Sequence, residues 1–238
     1  MQLIVTACFR ALVLQLIFAS LTMAEAQDDL VGSQLWRAVR IVQEVSKDNY
    51  TRIGSGFILV RNHRMVVFTN AHVVANAPRP IWFLWEGRPI DTTVRSIDQN
   101  HDLAMLNTNA QLVDADSVTR ERTAAVVVGD KLVAFGYPDT VAWGSAGSES
   151  SPPARIVGQV IAVGHYAPAI QTLLLAVGAY NGPTFPAFVF DAKGCTTGAS
   201  GGPLFNSSGA IVGYLKGMVN EGGCIGVAIG RAIGMIGK

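Results

Sequence analysis

Thr197-Gly198-Ala199-Ser200-Gly201-Gly202-Pro203 sets one serine among glycines on a stretch that has to bend sharply. Glycine takes positive φ without a Cβ penalty and leaves the backbone amides open to a substrate carbonyl, so the pattern suits a serine held up as a nucleophile. Its centre, Gly198-Ala199-Ser200-Gly201-Gly202, also satisfies the G-x-S-x-G of a strand-to-helix nucleophile elbow. Two folds compete for the same residues, and the positions of the histidines separate them.

A neutral serine hydroxyl is a poor nucleophile and needs a base to take its proton and a third group to orient that base. The four histidines, His63, His72, His101 and His165, all precede Ser200. Elbow hydrolases carry their histidine after the serine, so that reading fails. An Asp-His-Ser order would draw on Asp28, Asp29 or Asp48, all in weakly patterned sequence. The order His-Asp-Ser remains: His72 at the exit of the apolar run Met65-Val66-Val67-Phe68, Asp102 at the head of Leu103-Ala104-Met105-Leu106, then Ser200. Singly, each fits a core, turn or tight-loop residue; three such contexts in this order favour catalysis. His101 reads as a bystander beside Asp102, and His63 and His165 as turn residues. No His/Cys spacing suggests a metal site, and no cofactor is implied.

The composition agrees with a chain of many short strands. Among 238 residues there are 25 Gly and 10 Pro, 50% of residues are hydrophobic and 15% charged. Strand-length apolar runs separated by turn residues favour an all-β architecture. Leu35 to Ser46 reads as a short helix passing into a strand. Residues 57–60 and 65–68 form a hairpin, and further strands are expected at 81–85, 92–97, 103–106 and 131–136, with 124–128 apolar again. After a Gly/Ser/Pro-rich stretch at 143–153, strands are expected at 155–163, 172–177, 185–191, 204–205, 210–216 and 226–229, with a terminal helix at 231–236. A net charge of +1 gives no electrostatic footprint for nucleic acid or an anionic membrane.

Residues 1–26 read as a signal peptide: an apolar run from Ala11 to Met23 is followed by Ala24-Glu25-Ala26, the small-x-small pattern of cleavage, giving a mature start at Gln27. An uncleaved anchor is the other reading, because Arg10 is the only basic residue ahead of the run. Cleavage predicts a secreted or periplasmic protein with no further membrane association. It also removes Cys8 and leaves Cys195 and Cys224 as an even pair, either a disulfide or two free thiols.

Gly54-Ser55-Gly56-Phe57-Ile58-Leu59, Thr69-Asn70-Ala71-His72-Val73-Val74, Asp102-Leu103-Ala104-Met105-Leu106 and Gly198-Ala199-Ser200-Gly201-Gly202-Pro203-Leu204 together resemble the trypsin/chymotrypsin-like serine peptidases. Their wording is most similar to the bacterial branch that includes the HtrA-type proteases. The resemblance implies an all-β fold of two six-stranded antiparallel barrels with the active site in the cleft between them and a short C-terminal helix. Residues 27–142 would form the first barrel, with 131–136 as its last strand, 143–153 the inter-barrel loop and 154–238 the second barrel. It implies a serine endopeptidase of protein or peptide substrates, working through His72, Asp102, Ser200 and an acyl-enzyme intermediate. The amides of Gly198 and Ser200 would form the oxyanion hole.

The resemblance also places Cys195 and Cys224 for a disulfide beside the primary specificity pocket. That pocket would be bounded by Gly194, Leu215, Lys216 and Gly217. Gly194 stands near the position of trypsin's specificity aspartate, so no preference for Lys or Arg is implied. Lys216 either attracts an acidic substrate side chain or, one residue out of register, turns to solvent. Two departures stand out. Ala199 occupies the place of the aspartate that pairs with a new N-terminus in trypsin-type enzymes, so no activation through that ion pair is expected. The chain ends at Lys238, soon after the last barrel strand, so the PDZ domains of the HtrA-type proteases are not expected. A secreted binding protein on the same fold, with little or no turnover, is the alternative function.

Overall fold

The computed structural model of the chain describes residues 31–46, 49–61, 64–75, 77, 81–85, 88–111, 125–138, 152–167, 172–174, 182, 184–219 and 223–236. The signal segment 1–26 and all of the expected loop 143–153 except its last two residues lie outside them.

A 3-10 turn at Leu35–Arg37 leads into β1 (Ala38–Ser46), as the change from helical to alternating pattern predicts. β2 (Asn49–Arg61) runs straight through Gly54-Ser55-Gly56 and pairs with β3 (Arg64–Thr69). One helical turn, α1 (Ala71–Val74), follows directly. β4 (Ile81–Trp85), β5 (Arg88–Asp98) and β6 (Leu103–Gln111) complete a closed antiparallel barrel in the order β1-β2-β3-β6-β5-β4. Its interior is filled by alternate residues of those strands, among them Val39, Ile41, Ile58, Val67 and Phe83, each fully buried. Closure leaves no edge with unpaired backbone groups.

The second sheet contains β7 (Lys131–Gly136), β8 (Ala154–Ala167), β9 (Thr172–Leu174), β10 (Phe185–Ala192), β11 (Pro203–Asn206), β12 (Ile211–Met218) and β13 (Gly223–Ala228). Six of these strands run β10-β13-β12-β11-β7-β8, pairing of β8 with β10 closes the ring, and β9 adds to β8 outside it. The helix α2 (Gly230–Ile236) ends the described chain.

One expectation about the barrels is corrected. β7 is not the last strand of the first barrel: it pairs with β8 and β11 and belongs to the second. The chain changes barrel between Gln111 and Lys131, ahead of the division expected at 142. Local pattern cannot reveal this, because both partners of β7 come later in the chain, β8 directly after it and β11 only beyond the serine loop. Residues 125–128 form no strand. Gly129 takes φ 96 and the Asp130 carboxylate accepts from the Val127 amide at 2.9 Å, which turns the chain and leaves Val127 and Val128 exposed.

Between the barrels lies an aromatic layer. Phe57 stacks on Phe68 and on Tyr214, with centroids 5.4 and 6.0 Å apart, and Phe135 meets Phe205 at 5.7 Å. Phe57 and Phe68 come from the first barrel and Tyr214, Phe135 and Phe205 from the second, and all five are buried. Burying a side chain of this size contributes about 1.5–3 kcal/mol, so the barrels are held against each other by a core of their own.

Candidate active site

The first barrel brings His72 and Asp102 together through two tight turns. Asn70, extended at φ −69 and ψ 147, ends β3, and the single turn of α1 swings His72 out of the sheet. Asp102 closes a turn on the Gln99 carbonyl and sits at φ 49, a left-handed conformation that few residues other than glycine adopt, Asp and Asn among them. Asn70 Nδ2 donates to the Asp102 carbonyl at 3.0 Å and fixes that turn. The carboxylate then accepts twice from one residue: Oδ1 from the His72 amide at 2.9 Å, and Oδ2 from the ring at Nδ1, 2.7 Å away. The Asp102 side chain is 10% exposed and that of His72 is 46% exposed, so the pair has a buried end and an end open to the cleft.

Burial pushes the Asp102 carboxyl up. The His72 hydrogen bond and the nearby charge of Lys216 outweigh that effect and hold it below its usual 3.8. A carboxylate in this state orients an imidazole and stabilises its cation.

Ser200 comes from the second barrel, on a loop whose glycines have structural reasons. Gly198 has φ 92 and Gly201 φ 91. A Cβ on Gly201 would collide with the Ser55 carbonyl oxygen, so the loop lies directly on β2 of the other barrel. Ser55 holds it there: its amide donates to the Ser200 carbonyl at 2.9 Å, and its hydroxyl donates to the Gly198 carbonyl at 2.7 Å while accepting from the Tyr137 amide at 2.8 Å. Gly201 N also donates to the Leu215 carbonyl at 2.8 Å. Among the described residues neither the Gly198 nor the Ser200 amide donates to a protein acceptor.

His72, Asp102 and Ser200 line one cleft of about 480 Å³. The Ser200 hydroxyl rests on the Lys216 carbonyl at 3.3 Å, beyond the usual 2.5–3.0 Å range for a hydroxyl donor, a weak contact that a neighbouring base can replace.

Of the expected pocket residues, Lys216 and Gly217 line this cleft, while Leu215 and Gly194 do not. Leu215 is buried in the core of the second barrel, and Gly194 occupies an exposed turn at φ 108. Lys216 neither turns to solvent nor stands free for an acidic substrate: its ammonium is 2.6 Å from Asp102 Oδ2. The reason is a bulge, since Leu215 pairs with Gly226 but Gly217 pairs with Ile225, which makes Lys216 the extra residue. A bulge breaks the strand's alternation and re-aims a side chain.

Gln99, Tyr166, Thr196, Thr197 and Met218 also line the cleft and carry no sequence signal of their own. The Thr196 hydroxyl is buried without a hydrogen-bond partner among the described residues, and burial and the Asp102 charge push the Tyr166 phenol up. The sulfurs of Cys195 and Cys224 are bonded, with Cα atoms 5.8 Å apart, which ties the serine loop to β13. His101 belongs to a separate cluster. Its Nδ1 is 3.0 Å from Asp98 Oδ2, which also accepts from Arg231 Nε at 2.5 Å, and its ring stacks on Phe185 with centroids 5.1 Å apart.

Residues 54–213, from the glycines of β2 to the middle of β12, match the model of the trypsin-like peptidase domain. The chain belongs to the trypsin-like peptidase family. Within it, the chain is 30% identical over 176 residues to a probable periplasmic serine endoprotease, DegP-like, of Brucella suis, and 31% identical over 179 residues to the protein so described in Hahella chejuensis. These matches cover 74% of this chain but only 29% and 32% of those proteins. The chain thus spans about a third of the length of the curated relatives it matches. The active form of the Rv3671c protease from M. tuberculosis superposes on the peptidase domain with a TM-score of 0.64 over 88% of this chain and 83% of that one, at 20% identity. A likeness at that identity speaks for the two-barrel fold alone.

Proposed function

We propose that this chain is a serine endopeptidase acting outside the cytoplasm on protein or peptide substrates. The observation that carries the reading is the Asp102 carboxylate bound to both the amide and the ring of His72 in the cleft that also contains Ser200. In this reading Ser200 Oγ attacks the scissile carbonyl as His72 Nε2 takes its proton. The amides of Gly198 and Ser200 bind the oxyanion of the tetrahedral intermediate. His72 then protonates the leaving amine, and water admitted to the cleft releases the acyl group by the same steps.

Asp102 keeps its negative charge throughout, because its partners hold the carboxylate ionised. Residues 1–26 serve as the export signal, in keeping with the disulfide and with the periplasmic description of the DegP-like relatives.

Hydrolysis of a peptide library by the purified protein tests this. Wild type is expected to cleave internal peptide bonds while Ser200→Ala and His72→Ala do not. Equal product from wild type and Ser200→Ala would overturn the assignment. Binding of peptides without any cleavage would favour a non-proteolytic binding protein on the same fold.

A further inference from the structure

Lys216 meets two of the three proposed catalytic residues at once. Its carbonyl accepts the Ser200 hydroxyl at 3.3 Å, and its ammonium reaches Asp102 Oδ2 at 2.6 Å, the same oxygen that faces His72 Nδ1 at 2.7 Å. The side chain is 18% exposed, and its ammonium lies 5.5 Å from the centre of the Tyr166 ring. A lysine is costly to bury and loses considerable rotamer freedom when fixed, so an ordered position of this kind requires a strong partner. A charge-assisted bond to an ionised carboxylate is such a partner.

The carboxylate has reason to need the contact. Asp102 is mounted on a left-handed backbone at φ 49, at the tip of a turn. The His72 amide donates to Oδ1 and its ring faces Oδ2, so these two contacts to the carboxylate both come from one residue of the first barrel. Lys216 adds a donor from the other barrel. We infer that Lys216 is a positioning residue whose ammonium holds the Asp102 carboxylate in line with the His72 ring, and that this use withdraws it from any role in binding acidic substrate side chains. The inference rests on the triad reading above.

The bulge is the device that makes it possible. Regular alternation after Leu215, which points into the core, would set residue 216 on the outer face of the barrel; the bulge delivers it to the cleft instead. Lys216 acts by geometry and not by charge. A cation beside the carboxylate opposes the imidazolium formed during the reaction, so a purely electrostatic role would make its removal accelerate the enzyme.

The test compares wild type, Lys216→Met and Lys216→Arg by steady-state kinetics on one peptide substrate, by melting temperature, and by the rate at which a fluorophosphonate probe labels Ser200. Methionine keeps the length and apolar stem without the donor, and arginine restores a donor. Lys216→Met is expected to lose about tenfold to a hundredfold in kcat with KM nearly constant, as small misplacements of catalytic groups do, and Lys216→Arg to recover most of it. Substrates with acidic and neutral side chains are expected to lose equally. A kcat for Lys216→Met equal to or above that of wild type would overturn the inference, as would an arginine variant as impaired as the methionine one at an unchanged melting temperature. A loss confined to acidic substrates would overturn it too. Wild type that labels no faster than Ser200→Ala defeats the triad reading itself; wild type that labels, with Lys216→Met labelling at the same rate, defeats only the role of Lys216.

Discussion

The Ser55 hydroxyl of the first barrel donates to the Gly198 carbonyl of the second at 2.7 Å, joining residues 143 apart in sequence. With the hydrogen bond its amide donates to the Ser200 carbonyl, this one buried serine grips the nucleophile loop on both sides of Ala199. Ala199 itself is 2% exposed and packs in the core of the second barrel, so the loop is held here by neutral hydrogen bonds and apolar contact. Ser55→Ala removes the hydroxyl and leaves the buried Tyr137 amide unpaired, at a cost of about 1–3 kcal/mol. The expected outcome is a lower melting temperature and a kcat reduced about tenfold or more, with KM less affected, as the proposed oxyanion donors, the Gly198 and Ser200 amides, lose alignment. Kinetics and calorimetry on the two proteins check it.

The acid limit of stability is set in part by carboxylates whose folded values are depressed. Burial raises the Asp98 carboxyl, but hydrogen bonds from His101 and Arg231 outweigh it, and Asp102 is lowered by His72 and Lys216 against the same opposition. Each contributes stability that is present above the usual 3.8 and is lost as pH falls through its lower folded value. Arg231→Gln weakens the tie between α2 and β5. It is expected to melt earlier than wild type at neutral pH, with the gap closing below pH 3.8 as Asp98 protonates in both proteins. A gap independent of pH down to pH 2 would contradict this.

At the alkaline end the buried tyrosines matter, Tyr137 and Tyr214 among them, since burial pushes both phenols up. The Tyr137 phenol is pushed up to about 12 despite the neighbouring Arg40 guanidinium, which lies 4.5 Å from the ring centre. A raised folded value gives stability that is complete below the ordinary 10.0 and disappears as pH rises towards 12. Wild type is therefore expected to lose stability between those limits more steeply than Tyr137→Phe. Denaturant melts at pH 9 and 11 measure the difference.

The Cys195–Cys224 bond closes a loop with a sequence separation of 29 beside Ser200. In the chain-entropy account a loop of that size is worth about 3–4 kcal/mol, so reduction, or Cys224→Ser, is expected to lower the unfolding midpoint by a corresponding amount. Because the bond anchors the serine loop to β13, activity is expected to fall with it. An unchanged midpoint after reduction would show that the cross-link has no such role.

What could be read from sequence was what local pattern encodes. The β2–β3 hairpin shows in residues 57–60 and 65–68, and His72, Asp102 and Ser200 each stand at the boundary of an apolar run. Their chain order was enough to choose among hydrolase types. Residues whose role depends on long-range register were hidden. Nothing in Gly54-Ser55-Gly56 marks Ser55 as a clamp, because its partners, Gly198 and Tyr137, lie in the other barrel. Local pattern groups β7 with the first barrel because its neighbours, β8 and β11, arrive later in the chain. Sequence leaves Lys216 open between two faces because a bulge leaves no mark in a strand's composition, and no pattern separates Leu215 in the core from Lys216 in the cleft.

The most direct measurement is intact-mass and peptide mapping of the purified protein after exposure to a fluorophosphonate at neutral pH. A nucleophilic serine activated by His72 and Asp102 predicts a single adduct on Ser200 that is absent from Ser200→Ala and forms far more slowly in His72→Ala. No adduct on wild type, or an adduct that forms equally fast in His72→Ala, would contradict it.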